Sequence, residues 1–419
     1  MEKKWTNRRQ MDQLFLYCWI AYTVTYLGRY NLSAAMADMV LQGVLTKSQG
    51  GLIATCFFVS YGAGQLLSGI LGDKLNGRWM VGSGLLLSGA MNLAMGLTGD
   101  WRIMAAIWMV NGVTQSMIWS PLLRILAEAM PRKRCLKAGI DLATTIPAGT
   151  LASYGMTAAA IALSGWAMAF YSAGAVLIAM GLLWLAGLGA LEKRAQRGMV
   201  DETEENAAPE LAPAGPRPSM LAILLPSGLL ITALAVMLQG ALRDSITTWM
   251  PTYLTEAYGL GAQVSIIASM TLPLVNLGGV YAASWMNTRV LKDELSSSAV
   301  LFALSVACLA VMVAFQRLNV ALALLLLAVT TSAMHSINTM IISLLPMYFT
   351  RMRRVSTVSG MLNAVVYLGS ALSAYGIGAL SDYGGWGATQ VAWCLMCVAG
   401  ALLCLWARKV WNPYKRAHL

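Results

Sequence analysis

Runs of about twenty apolar residues recur along the whole chain, and this repetition constrains the fold more than any other feature. A helix rises about 1.5 Å per residue, so each run crosses a hydrocarbon core of about 30 Å. Backbone polar groups in lipid must pair within their own segment, which selects helices, and the alternating strand pattern of a barrel is absent from the sequence. Only 11% of residues are charged and 58% are hydrophobic, against about 25% charged in soluble domains. This excludes a soluble enzyme and a disordered chain. The expectation is an all-α polytopic membrane protein.

Twelve spans can be drawn, near 12–36, 48–72, 78–98, 103–129, 137–163, 167–191, 220–255, 261–286, 297–316, 319–348, 355–380 and 388–410. The net charge of +11 follows the membrane and does not call for nucleic acid. Basic residues crowd one set of loops: Lys3, Lys4, Arg8 and Arg9; Lys74 and Arg78; Arg132, Lys133, Arg134 and Lys137; Lys193, Arg194 and Arg197; Arg351, Arg353 and Arg354; Arg408, Lys409, Lys415 and Arg416. The opposite loops hold mainly Lys47, Arg102 and Arg317. The positive-inside rule then puts both termini in the cytoplasm, which requires an even number of spans. KKWTNRR leads into a long first span without a small-residue cleavage site, so no cleavable signal is expected. The expected location is the cell membrane, the cytoplasmic one if the source is bacterial, with the bilayer as partner and a monomeric state.

Residues 192 to 219, EKRAQRGMVDETEENAAPELAPAGPRPS, read as a cytoplasmic linker between residues 1–191 and 220–419, six spans each. The halves echo each other. Arg29 in the first span is followed 44 residues later by Asp73, and Arg243 in the seventh span is followed 44 residues later by Asn287. Repeated bundles with a site at their interface are the pattern of secondary transporters. Metal and cofactor chemistry finds no basis here. The seven cysteines lie mostly within apolar spans, Cys394 and Cys397 have no second pair, and two histidines cannot build a zinc site. No nucleophile elbow or phosphate-binding glycine loop stands out, so an enzyme is not expected.

A charged side chain at the centre of a spanning helix costs about 2.5–3.5 kcal/mol, so Arg29 and Arg243 together cost roughly 5–7 kcal/mol. Acids to offset them are scarce. Asp38 lies about 13 Å from Arg29 along the helix. Asp244 is the one clear deep acid, yet neighbouring helical side chains diverge by about 100°, which makes pairing with Arg243 awkward. Arginines without matched acids suit an anion arriving from outside, because guanidinium stays charged and offers a planar fork to phosphate or carboxylate. Tyr22, Tyr26 and Arg29 step by four and three and share a face, each phenol serving either as a donor to the anion or as packing. In the tenth span, His335 and Asn338 are three apart and share a face. His335 reads as a satisfied hydrogen-bonding residue or a proton relay, and Asp244 as a proton carrier.

SGILGDKLNGRW, residues 68 to 79, resembles the signature loop between the second and third helices of the major facilitator superfamily, through Gly69, Asp73, Lys74, Gly77 and Arg78. ASWMNTRVLK keeps only Asn287, Arg289 and Lys292 as a degenerate second copy. YLGRYNLS, SQGGLIATCFFVSYGAGQLLSGILGDKLNGR, LRDSITTWMPTYL and SGMLNAVVYLGSALSAYGIGALSDYGGW resemble the organophosphate:phosphate antiporter family, which includes glycerol-3-phosphate and hexose-phosphate transporters. The likeness runs over nearly the whole chain and is weakest around the ninth and tenth helices.

The resemblance implies twelve transmembrane helices in two six-helix bundles and exchange of a phosphate ester, a sugar or glycerol phosphate, for inorganic phosphate by alternating access. It implies that Arg29 and Arg243 bind the substrate phosphate, the latter placed by Trp249, Pro251, Thr252, Tyr253 and Leu254. Tyr61 matches a tyrosine of the family's second helix, and Arg124 a family arginine suited to gating or interhelical contact. Tyr30 and Gln65 stand where the glycerol-phosphate type has lysines, and Thr145 where it has a fifth-helix histidine, which argues against a heavily charged ligand. The alternatives are a proton-coupled symporter of an organic anion such as a sugar acid, with Asp244 or His335 titrating, and a transporter-like sugar-phosphate sensor.

Overall fold

The structure, a computed structural model, describes residues 3–5, 7–72, 75–131, 134, 137–138, 141–195, 199–201, 224, 226–315, 319–349 and 355–418. Asp73, Lys74, Arg132, Lys133, Arg317, Arg351, Arg353, Arg354 and most of the expected linker, 196–198 and 202–219, lie outside the described residues. The chain divides into two compact units, Met1–Val44 with Val59–Glu210 and Leu45–Phe58 with Leu211–Leu419. Among the described residues, seven helices are long and apolar enough to cross a membrane.

The first unit is built from α1 (Arg8–Leu41), the later part of α2 (Lys47–Gly72), α3 (Gly77–Gly96), α4 (Trp101–Ala129), α5 (Thr145–Ser164) and α6 (Trp166–Ala195). Side-chain caps start several of them. Asn7 accepts from the Arg9 amide, Asn76 from Arg78 and Trp79, and Asp100 from Arg102, each satisfying helix donors that have no intrahelical partner. Gly165, at φ 82°, ends α5 where a side chain would be strained. The core joins Leu14 and Cys18 of α1 to Leu85 of α3, Ile118 and Leu122 of α4 and Leu177, Trp184 and Leu188 of α6. The α3–α6 contact depends on two facing glycines. A Cβ on Gly89 would lie 2.9 Å from the Gly174 carbonyl, and one on Gly174 2.8 Å from the Gly89 carbonyl. Close backbone approach of this kind is how helices pack where lipid removes the hydrophobic drive. A short antiparallel pair, β1 (Lys3–Trp5) with β2 (Met199–Asp201), belongs to the same unit.

The second unit holds α7 (Leu229–Tyr258), α8 (Ala262–Ser269), α9 (Thr271–Trp285), α10 (Glu294–Ala314), α11 (Val320–Asn338) and α12 (Val355–His418), with the start of α2. The segment expected as one span over 261–286 is interrupted at Met270 between α8 and α9, and the two together lie in one apolar run, Ala262–Leu291, long enough to cross a membrane. The run α12 is two helices that meet at a break at Gly385, φ 71°, in keeping with the two segments expected over 355–380 and 388–410. Helices α7 and α12 are tied by buried polar bonds, Trp393 Nε1 donating to Ser245 Oγ (3.0 Å) and Gln390 Nε2 to the Tyr253 hydroxyl (2.9 Å). A π-type turn, Thr339–Leu344, follows α11 directly beyond Asn338.

Candidate functional site

Arg29 sits on α1 against a ring of aromatic and amide groups in the first unit. Its guanidinium carbon is 4.2 Å from the centroid of Tyr61 and 5.3 Å from that of Tyr26. Such cation–π contacts attract by about 0.5–2 kcal/mol, more where water is excluded. Tyr22 meets Tyr26 edge-on at 5.5 Å and Trp119 at 4.6 Å, and Tyr30 stacks on Tyr26 at 5.8 Å. Gln65 Nε2 donates to the Tyr61 hydroxyl at 2.7 Å. The α1 face read from residues 22, 26 and 29 therefore exists, and Tyr61 joins it from α2.

Beneath this arginine lies a buried polar network that the sequence reading missed. Arg29 Nε donates to Gln115 Oε1 at 3.1 Å. Gln115 Nε2 in turn faces the carbonyls of Thr25 (3.2 Å) and Gly28 (3.1 Å) and the Ser88 hydroxyl (3.2 Å). The Gly28 carbonyl also accepts from Asn111 (2.9 Å) and Asn92 (3.3 Å), while Ser88 donates to Asn111 and Asn31 to Asn92. Gly28 makes this approach possible, since a Cβ there would lie 2.7 Å from the Asn92 amide nitrogen. The signal was present in the spacing: Ser88 and Asn92, and Asn111 and Gln115, are each four apart inside apolar spans. Polar side chains on one face of a membrane helix need partners, and these supply one another.

Arg243, on α7, is held differently, and here one expectation is corrected. Its Nε donates to Asp244 Oδ1 at 2.7 Å and its Nη2 to Asp244 Oδ2 at 2.8 Å, a two-pronged ion pair. Divergence of neighbouring side chains does not prevent it, because the long arginine stem folds round the helix and its planar fork matches the carboxylate. Ser370 of α12 donates to Asp244 Oδ2 at 2.5 Å and fixes that carboxylate. Arg243 Nη1 donates to Asn338 Oδ1 at 3.3 Å, and His335 lies within electrostatic reach of both Arg243 and Asp244. The shared face read for His335 and Asn338 is thus turned to Arg243.

Several expected residues make their described contacts elsewhere. Thr145 is fully buried, its hydroxyl donating to the Leu142 carbonyl at 2.5 Å, because the chain enters α5 through a tight turn at that point. Trp249 is also fully buried, packed beside Gly378 and the Lys47 backbone, since six residues along a helix turn it away from the Arg243 face. Arg124 pairs with Glu128 on its own helix at 2.5 Å. Arg78 reaches α6, donating to the Leu185 carbonyl and lying 3.8 Å from Glu192, so it links helices within its unit. Among the described residues no group of histidine, cysteine or carboxylate side chains could hold a metal ion.

The family model of the Major Facilitator Superfamily matches residues 18–343. A membrane sensor protein, UhpC, of Salmonella typhimurium is 25% identical over 71% of this chain and 71% of its own length. A glycerol-3-phosphate transporter of Bacillus subtilis is 26% identical over 70% of this chain and 69% of its own. The crystal structure of a bacterial homologue of the human lysosomal transporter Spinster superposes with a TM-score of 0.80 over 97% of this chain and 99% of that one; at 13% identity it shows the fold alone. These relatives bear out the resemblance read from the first, second and seventh helices. With arginines set in helices that only a membrane would require, and a family model covering most of its length, the chain belongs to the Major Facilitator Superfamily, with an all-helical fold and a place in the membrane.

Proposed function

We propose that this protein is a secondary transporter that exchanges a small phosphate ester, a sugar or glycerol phosphate, for inorganic phosphate by alternating access. The proposal includes twelve spans in two six-helix halves, residues 1–191 and 220–419, joined by the segment 192–219, with both termini cytoplasmic. The observation that carries it is the investment of buried polar structure around two membrane arginines. Arg29 is framed by Gln115 and the rings of Tyr26 and Tyr61, and Arg243 by Asp244 and Asn338, with Ser370 holding the Asp244 carboxylate. Fixed guanidinium groups of this kind recognise phosphate oxygens in pairs. The glycerol-phosphate transporter among the relatives supports the same substrate class.

Because Arg243 already pairs with Asp244, the substrate anion competes with or displaces an internal carboxylate at that arginine. Tyr22, Tyr26 and Tyr61 border the Arg29 end, and Asn338 and His335 the Arg243 end. A sensor that binds a sugar phosphate without carrying it is favoured by one relative, named a membrane sensor protein. Counterflow separates the readings. Proteoliposomes loaded with unlabelled phosphate should accumulate labelled glucose 6-phosphate or glycerol 3-phosphate transiently, whatever pH gradient is imposed. A protein that binds either ester yet gives no counterflow is a sensor, and uptake that needs an inward proton gradient marks a symporter.

A further inference from the structure

We infer that Gln115 of α4 is a positioning residue for Arg29, holding the guanidinium ready for an anion without supplying a counter-charge. This rests on the proposed reading of Arg29 as an anion ligand. The orientation of the Gln115 amide is forced by its neighbours. Arginine can only donate, so Oε1 must face Arg29 Nε at 3.1 Å. Carbonyls can only accept, so Nε2 must face Thr25 and Gly28 at 3.2 and 3.1 Å. The side chain is 1% exposed, and Asn111, Asn92 and Ser88 around the same Gly28 carbonyl hold it in that setting. Gln115 therefore ties Arg29 to the backbone of its own helix one turn and less away. Its rotamer fixes where Nε lies, and the guanidinium then rests against the Tyr61 and Tyr26 rings.

An amide and a carboxylate have the same shape, and here they would have opposite consequences. A carboxylate at this position would pair with Arg29 as Asp244 pairs with Arg243, and would compete with an incoming anion. Gln115 retains the acceptor and omits the charge. An apolar chain of equal length would remove the Gln115 bond from Arg29 and leave the Gly28 and Thr25 carbonyls short of one donor.

The test is phosphate–phosphate exchange in proteoliposomes containing the full chain, using labelled inorganic phosphate, with wild type, Gln115→Glu, Gln115→Met and Arg29→Ala compared between about pH 5 and about pH 8. Taking each variant as a ratio to wild type at the same pH cancels the ionisation of phosphate itself. Arg29→Ala should abolish exchange. Gln115→Met should raise KM by about tenfold at every pH with a smaller effect on kcat, as loss of a bond to a charged group implies. Gln115→Glu should raise KM by more than about tenfold at every pH in this range, because the neighbouring guanidinium keeps the new carboxylate ionised and paired even at about pH 5. A larger rise for the near-isosteric glutamate than for methionine is not what general loss of packing gives. If Gln115→Glu fails to fold, judged by size-exclusion profile, the methionine variant decides alone. Both Gln115 variants within twofold of wild type, with Arg29→Ala inactive, would overturn the positioning role and leave Arg29 as a ligand. Exchange by Arg29→Ala with an unchanged KM would instead remove the ligand reading and this inference with it.

Discussion

Arg243 and Asp244, adjacent on α7, form a two-pronged ion pair at 2.7 and 2.8 Å, and Ser370 on α12 holds the carboxylate in place. The arginine of the second unit thus carries its own anion, whereas Arg29 in the first is anchored by the neutral amide of Gln115. Two arginines in equivalent sequence settings are stabilised by different chemistry. Desolvating Arg243 is offset by a charge, and desolvating Arg29 by an amide and aromatic faces.

Asp244→Asn removes the internal competitor and leaves Arg243 buried with a weaker partner. Breaking a buried pair from one side costs about 3–5 kcal/mol. The ligand-free variant should therefore melt lower than wild type in detergent, and added phosphate should raise its Tm more than it raises that of wild type. An unchanged ligand-free Tm would show that the pair contributes little.

Arg29→Lys should fail as a transporter although it keeps the charge. Lysine offers a compact ammonium, which can neither reach Gln115 Oε1 as the arginine Nε does nor present a planar fork to phosphate. Counterflow of labelled glycerol 3-phosphate should fall by about tenfold or more. Retention of more than half the wild-type rate would show that charge alone suffices.

Gly28→Ala should destabilise the first unit out of proportion to its single added methyl. That methyl would meet the Asn92 amide nitrogen at 2.7 Å and the side chain of Leu177. Overpacking costs about 1–3 kcal/mol, and here it also prises the amides from the Gly28 carbonyl. Thermal unfolding with and without phosphate would show a lower Tm and a smaller ligand-induced shift. A Tm within error of wild type would mean the network yields easily.

At the start of α2, Lys47 lies 2.8 Å from Glu256 and 3.7 Å from Asp382, with Trp386 donating to the same Glu256 oxygen at 2.8 Å. Lys47 and Glu256 side chains are only 12% and 29% exposed, so their coupling should exceed that of a surface pair, about 0.2–1 kcal/mol. A double-mutant cycle with Lys47→Met and Glu256→Gln, read by thermal unfolding, measures it. Additivity of the two changes would contradict the expectation.

The architecture was legible in the sequence because the bilayer is a demanding solvent. Long apolar runs, charge asymmetry between loops and two misplaced arginines all follow from it. The polar face at residues 22, 26 and 29, and the shared face of His335 and Asn338, followed from helical spacing alone. Gln115 escaped because the step of four it makes with Asn111 does not name its partner until the helix that it faces is known. The Asp244 pair escaped for the opposite reason. Backbone divergence does not limit side-chain reach, because the arginine stem is long enough to fold back to the neighbouring carboxylate. For Thr145 and Trp249, matching a motif fixes the place in the chain, while the local turn at Leu142 and the helical phase at Trp249 decide where the side chain goes.

Equilibrium binding tests the central claim most directly. Inorganic phosphate and glucose 6-phosphate would be titrated calorimetrically into purified wild type, Arg29→Ala and Arg243→Ala. The account predicts binding of both ligands to wild type, mutual competition between them, and loss of both in each variant despite intact folding. Binding that survives removal of either arginine, with unaltered affinity, would contradict it.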